Sequence, residues 1–161
     1  MKLSWIPALL LLIPSLSFGY TPHQVAISRY ACRIASPLGL CETFTAILME
    51  ESTFCLRKYN EKGPAANGCG QIHLTTANSV LRNHTTAARL RRDDYFNVRV
   101  SLKYLIFCFK RFDGDWPSGV LCYNKGDGYV SSVKKEHRIT DPYVRSILKY
   151  MLMKKIYLPK R

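Results

Sequence analysis

The stretch that decides how this chain is read is Glu42-Thr43-Phe44-Thr45-Ala46-Ile47-Leu48-Met49-Glu50-Glu51-Ser52-Thr53-Phe54. The spacing predicts a helix over 42–54, with Phe44, Ile47 and Leu48 on one face. Glu51 falls two turns beyond Phe44 on that same apolar face, where charge is normally excluded. Desolvation there disfavours the carboxylate and raises its pKa, so the acid can give up a proton to a leaving group near neutral pH. Ser52 and Thr53 offer hydroxyls that could orient it. The plainer alternative is a glutamate that ends a helix and points to water, and the pattern alone leaves both open. Glu50, about 100° further round the helix, reads as an ordinary exposed charge.

Outward from this stretch, residues 23–35 place Val25, Ile27 and Ala31 in a partly helical pattern. Residues 75–82 predict a short helix that Thr75 could cap. Residues 95–112 give the clearest periodicity: Val98, Leu102, Leu105, Ile106 and Phe109 form one stripe, with Arg99, Lys103 and Lys110 away from it. Leu105-Ile106-Phe107-Cys108-Phe109 is apolar all round, which puts this helix at the centre of the core. Asp115-Trp116-Pro117 opens a helix that ends near Asn124, with Gly126 as its C-cap. Asp141-Pro142 opens the last helix. Its inner face is Val144, Ile147, Leu148 and Met151, and Lys154 and Lys155 stand at its C-terminal end, where cations are favoured. The segment 56–70, with Gly63, Pro64, Asn67, Gly68 and Gly70, has the composition of a loop or small hairpin.

The chain has 161 residues, enough for one domain, and no repeat or low-complexity linker divides it. Residues 1–19 read as an export signal, with Lys2, an apolar run from Trp5 to Leu16, and small residues at Ser17 and Gly19. The run is shorter than the ~20 residues of a spanning helix and is broken by Pro7 and Pro14, so a cleaved signal is expected, with residues 20–161 as the domain and no membrane span left. Export places Cys32, Cys41, Cys55, Cys69, Cys108 and Cys122 in an oxidising compartment, where they should pair. Sequential pairing is expected, because it closes three short loops. There is no Cys-x-x-Cys, and His23, His73, His84 and His137 show no ligand spacing, so neither a metal nor a cofactor is expected.

Three segments then resemble a known family, in the family's order. Glu51-Ser52-Thr53-Phe54 resembles the Glu-Ser-x-Phe motif of the soluble-lytic-transglycosylase (SLT) domain. Gly68-Cys69-Gly70-Gln71-Ile72 resembles its Gly-Leu-Met-Gln-Ile segment, and Leu121-Cys122-Tyr123-Asn124-Lys125-Gly126 its Ala-Ala-Tyr-Asn-Ala-Gly segment. Asn97 to Phe112 is similar to the long helix that precedes the last motif. The resemblance spans roughly residues 23–135. It implies a lysozyme-like fold and cleavage of the β-1,4 bond between N-acetylmuramic acid and N-acetylglucosamine in peptidoglycan. Glu51 would be the general acid and then the base, with the muramic N-acetyl group assisting and a 1,6-anhydro ring closing. Ser52 would hydrogen-bond Glu51 or a neighbouring sugar group, and Gln71, Tyr123 and Asn124 would line the cleft. Two departures from the family pattern stand out: Cys69 and Gly70 remove apolar bulk from the loop wall, and Lys125 adds a charge. A Cys55–Cys69 bond would tether that loop to the Glu51 helix.

Most glycosidases use two carboxylates, and Glu61, Asp93, Asp94, Asp113, Asp115 and Asp127 are candidates for a second, none at a demanding spacing. A hydrolytic muramidase therefore stays open as the rival enzyme, and a cationic wall-binding protein as the non-enzyme. The net charge of +13 suits anionic wall polymers. A basic cluster at Arg89, Arg91 and Arg92 and the basic end Lys149, Lys154, Lys155, Lys160 and Arg161 contribute to it. Nucleic acid is disfavoured as a partner: the aromatics fall on helical apolar faces and no nucleic-acid motif is present. The expected setting is periplasmic or secreted, on glycan strands, with a secretion, conjugation or phage machine as a candidate partner. Trp116 reads as a core plug rather than a sugar platform. Tyr59 and Asn60 could contact glycan or serve turn chemistry, and a lone His73 reads as structural or exposed.

Overall fold

The structure is a computed structural model that describes residues 19–57 and 66–153. The expected export signal up to residue 18, Tyr59, Asn60, Glu61, Gly63, Pro64, Lys154, Lys155, Lys160 and Arg161 lie outside the described residues.

Helix α1 (Pro22–Ala35) begins with a capping box: Gln24 N–H donates to Thr21 Oγ1 at 3.2 Å, and Thr21 N–H donates to Gln24 Oε1 at 2.8 Å. A short 3₁₀ turn (Ser36–Leu38) leads into α2 (Cys41–Ser52), the predicted Glu51 helix. Strands β1 (Ala66–Asn67) and β2 (Ile72–His73) then pair antiparallel, with Ala66 opposite His73 and Asn67 opposite Ile72. The expected hairpin therefore exists, and the glycine-rich run is its turn. Helix α3 (Leu74–Leu81) leaves β2 directly, so His73 takes the N-cap position and Thr75 sits inside the first turn. This corrects the predicted Thr75 cap. Helix α4 (Ala87–Arg92) was not legible in the sequence; its only buried residue is Leu90.

Helix α5 (Asp94–Arg111) is capped by Asp93, which accepts from Phe96 N–H at 2.8 Å. It packs against α1, α3, α4 and α6 (Trp116–Lys125). Its inner face combines Val98, Leu102 and Leu105 with the polar residues Asn97 and Ser101. The expected all-round burial does not hold, because Phe107 is 44% exposed. Helices α7 (Asp127–Ser132) and α8 (Lys135–Arg138) lead to α9 (Pro142–Leu152), which lies across α2. Asp115 and Asp141 cap α6 and α9 as expected, and Gly126 closes α6. Trp116 packs against the core and donates its Nε1–H to Thr43 Oγ1 at 3.0 Å, joining α6 to α2.

Fully buried Ile27, Phe44, Ile47, Leu48, Leu105, Leu121 and Ile147 form the centre of the core. Burying each such side chain contributes about 1.5–3 kcal/mol. The disulfides are Cys32–Cys41, Cys55–Cys69 and Cys108–Cys122, the sequential pairing, closing separations of 9, 14 and 14 residues. Crosslinks of this length remove unfolded-chain entropy worth on the order of 2–4 kcal/mol each.

A polar node sits inside this apolar frame. The buried Asn97 side chain accepts from Gly70 N–H at 2.8 Å and donates to Asn67 O at 2.7 Å and Leu90 O at 3.0 Å. It thereby pins the hairpin turn and the end of α4 to α5. Asn97→Ala leaves three buried backbone groups unpaired and should cost about 2–5 kcal/mol in urea unfolding. Leu56→Ala, at an exposed position, should stay within about 0.5 kcal/mol of the wild type.

Candidate active site

Glu51 occupies the last turn of α2 and is partly buried. Ile47 and Leu48 before it face the core, so the same helix face that fills the interior delivers Glu51 into a cleft of about 580 Å³. Gln71, Tyr123 and Asn124 line that cleft with Glu51, as do Glu50, Tyr104 and Lys125.

The hydroxyl of Tyr143, in the first turn of α9, donates to Glu51 Oε1 at 2.6 Å. The Asn124 side chain also hydrogen-bonds Glu51. Burial pushes the Glu51 carboxyl from its ordinary value of 4.5 up to about 6. The bonds from Tyr143 and Asn124 oppose that rise, the Glu50 charge adds to it, and the Lys125 charge subtracts from it. Burial comes first among these causes. The phenols of Tyr123 and Tyr143 are themselves pushed well above 10 by burial and by the neighbouring Glu51, so both remain hydrogen-bond donors.

Tyr123 is almost fully buried, and its hydroxyl donates to Gly70 O at 2.8 Å. Its ring lies 5.4 Å from that of Tyr104. Gln71, at φ +50°, holds its own turn by donating from Nε2 to Gly68 O at 2.8 Å. Asn124 is exposed at the cleft.

Ser52 differs from the expectation. It is fully buried; its hydroxyl donates to Cys69 O at 2.6 Å and accepts from Cys55 N–H at 2.8 Å. One residue along a helix turns the side chain about 100°, away from Glu51 and into the packing against the turn. Ser52 is therefore no sugar contact, and it holds the loop where the Cys55–Cys69 bond also holds it. Thr53, Phe54 and Cys55, just after Glu51, all have positive φ, at 53°, 53° and 71°. Three successive non-glycine residues in that region are costly and persist only where surrounding bonds over-determine them.

The loop wall is corrected as well. A Cβ on Gly70 would overlap Ser101 Oγ and stand 2.6 Å from the Tyr123 hydroxyl. The space that a larger residue would take is filled by α5 and α6, so the wall is not hollow. Glu50 is no free surface charge: it lines the cleft and accepts from Ser146 Oγ at 2.7 Å.

The proposed second carboxylates lie elsewhere or outside the described residues. Asp93 caps α5, Asp115 caps α6, Asp94 pairs with His23 at 2.7 Å, and Asp127 pairs with Arg111 at 3.4 Å. Asp113 stands in the positive-φ turn after α5. Among the described residues, His23, Cys55 and Asp94 come within metal-ligand reach of one another. The Cys55 sulfur is committed to a disulfide and offers no thiolate, so the trio does not fit a metal. His73 is exposed at the cleft edge.

Tyr143 is the hydrogen-bond partner of Glu51 that the sequence did not disclose. It sits 92 residues from Glu51, inside a helix whose apolar face accounts for its neighbours.

A family model described as the transglycosylase SLT domain matches residues 38–145. No curated protein matches the chain significantly. The matched span runs from the turn before α2 to the first turn of α9, and so contains every residue of the cleft described above.

A raised carboxyl pKa is also a statement about stability. Between pH 4.5 and about 6 the folded chain holds a proton at Glu51 that the unfolded chain has lost, so this residue destabilises the fold progressively as pH rises. Glu51→Gln should therefore stabilise the protein at pH 7.5 by about 1–2 kcal/mol in urea unfolding, a gain that vanishes toward pH 4.

Proposed function

The chain belongs to the transglycosylase SLT domain family, and from that premise we propose that it is a peptidoglycan lytic transglycosylase exported to the periplasm or cell exterior. The observation that carries this reading is Glu51: a partly buried acid with its pKa raised to about 6, hydrogen-bonded by Tyr143 and Asn124 in the cleft that Gln71 and Tyr123 also line.

The glycan strand lies along the cleft, with the muramyl–glucosaminyl oxygen against Glu51. Protonated Glu51 donates its proton to that oxygen as the bond to the muramyl C1 breaks. The carbonyl oxygen of the muramyl N-acetyl group supports the positive charge at C1. Glu51 is now a carboxylate, steadied by the Tyr143 hydroxyl. It takes the proton of the C6 hydroxyl while that oxygen closes on C1. The products are a new glucosaminyl 4-hydroxyl end and a 1,6-anhydro-muramyl end, and Glu51 is protonated again. No water is consumed, which agrees with a cleft whose acid is screened by packing. Asn124 and Tyr123 stand beside the acid, and Gln71 holds the facing turn. The strong positive charge concentrates the enzyme on anionic wall polymers.

A hydrolytic muramidase of the common two-carboxylate kind would use a second carboxylate to activate water. Glu50 is the other carboxylate in the described cleft, and its hydrogen bond to Ser146 ties it to α9. The chemistry is decided by the products. Purified protein digesting sacculi should release anhydro-muropeptides, each lighter by one water than a hydrolytic product. Glu51→Gln should lose activity by about 10²–10⁴-fold. Wild-type activity should fall as pH rises through about 6, where the acid loses its proton. Reducing muramyl ends would overturn the transglycosylase reading, and equal clearing by Glu51→Gln would remove Glu51 as the acid.

A further inference from the structure

Two neighbouring carboxylates at the end of α2 are each met by a hydroxyl from α9. Tyr143 donates to Glu51 Oε1 at 2.6 Å, and Ser146 donates to Glu50 Oε2 at 2.7 Å. Tyr143 and Ser146 are spaced to share one face of α9, whereas Glu50 and Glu51 diverge by about 100° around α2. The two bonds therefore fasten one face of α9 to α2 at two separate points. Buried Val144 and Ile147 supply the apolar contact of α9, but apolar burial has no direction. A single hydrogen bond, to Glu51, would leave α9 able to turn about that point. The second, to Glu50, removes that freedom. A second carboxylate beside the acid is otherwise unfavourable, because like charges repel. Fastened to Ser146, it has a use.

We propose that Glu50 and Ser146 are positioning residues, whose hydrogen bond fixes the rotation of α9 at which the Tyr143 hydroxyl reaches Glu51. This inference rests on the lytic reading of Glu51 and adds to it what holds the acid's own partner in place. Glu50 then acts in two opposite senses. Its charge favours the proton on Glu51, while through Ser146 and Tyr143 it favours the carboxylate. The other groups facing Glu51 are Tyr123, Asn124 and Lys125 of α6. Arg57 and His73 line the same cleft. Single substitutions at Glu50 or Ser146 leave all five in place.

The two senses separate in a carbon-13 NMR titration of Glu51 in the free, oxidised protein, read alongside kcat and KM on soluble glycan strands. Glu50→Gln removes the charge but keeps an amide oxygen for Ser146, so the Glu51 midpoint should fall by about half a pH unit. Ser146→Ala keeps the charge and releases α9. The midpoint should then rise by about half a pH unit, and kcat should fall about three- to tenfold with KM little changed. Ser146→Thr should restore both. With Tyr143→Phe in place, Ser146→Ala should move the midpoint no further, because the two residues act as one unit. A midpoint and kcat unchanged in Ser146→Ala overturn the inference. So does an equal shift in the Tyr143→Phe background, or a midpoint that does not fall in Glu50→Gln. The titration needs no substrate, so these outcomes are read whether or not anhydro products form, and the products alone decide the lytic reading.

Discussion

The hairpin turn at Gly68–Gln71 is held from three sides, and the cleft depends on that clamp. Gly70 N–H donates to Asn97 on α5, Gly70 O accepts from Tyr123 on α6, and Cys69 O accepts from Ser52 on α2. The disulfide Cys55–Cys69 adds a covalent tie to the end of α2. Each contact requires the backbone of the turn to lie against its neighbours, and a Cβ at Gly68 or Gly70 would collide with them. The two glycines thus set how closely the turn approaches α4, α5 and α6. Satisfied buried networks of this kind are rigid, because every alternative arrangement strands a polar group away from water.

The acid benefits from this rigidity. Glu51 experiences opposing influences: burial favours the neutral carboxyl, while Tyr143 and Asn124 favour the carboxylate. Burial prevails, yet the hydrogen bonds remain available when the proton has left. For the acid-then-base role proposed for Glu51, an environment that makes neither state extreme is suited. The three positive-φ residues that follow Glu51 are the backbone counterpart of this precision. Bonds from Ser52 and the disulfide keep the chain in a conformation it would otherwise abandon.

Much of this was legible from the residues. Helical periodicity placed α2, α5 and α9, because their apolar stripes are long and face a core. Asp115-Trp116-Pro117 and Asp141-Pro142 marked helix starts through capping chemistry that is local in sequence. The cysteine order gave the pairing. What escaped was decided by distant packing. Helix α4 buries one leucine among arginines and has no stripe to read. Ser52 looks like a partner for Glu51 until the helix turn sends it to the other side. Gly70 looks like lost bulk until Ser101 and Tyr123 are seen to fill the space. Tyr143 is invisible because its role requires α9 to cross α2, a contact that no short-range pattern contains. Among the described residues no helix is long and apolar enough to cross a membrane.

The account stands on the protonation state of one side chain. Titration of Glu51 by carbon-13 NMR in the intact, oxidised protein measures it directly, with Glu51→Gln assigning the signal. A midpoint near 6 is the predicted result. A midpoint at or below the ordinary 4.5 would show a carboxylate already ionised at neutral pH and would contradict the account.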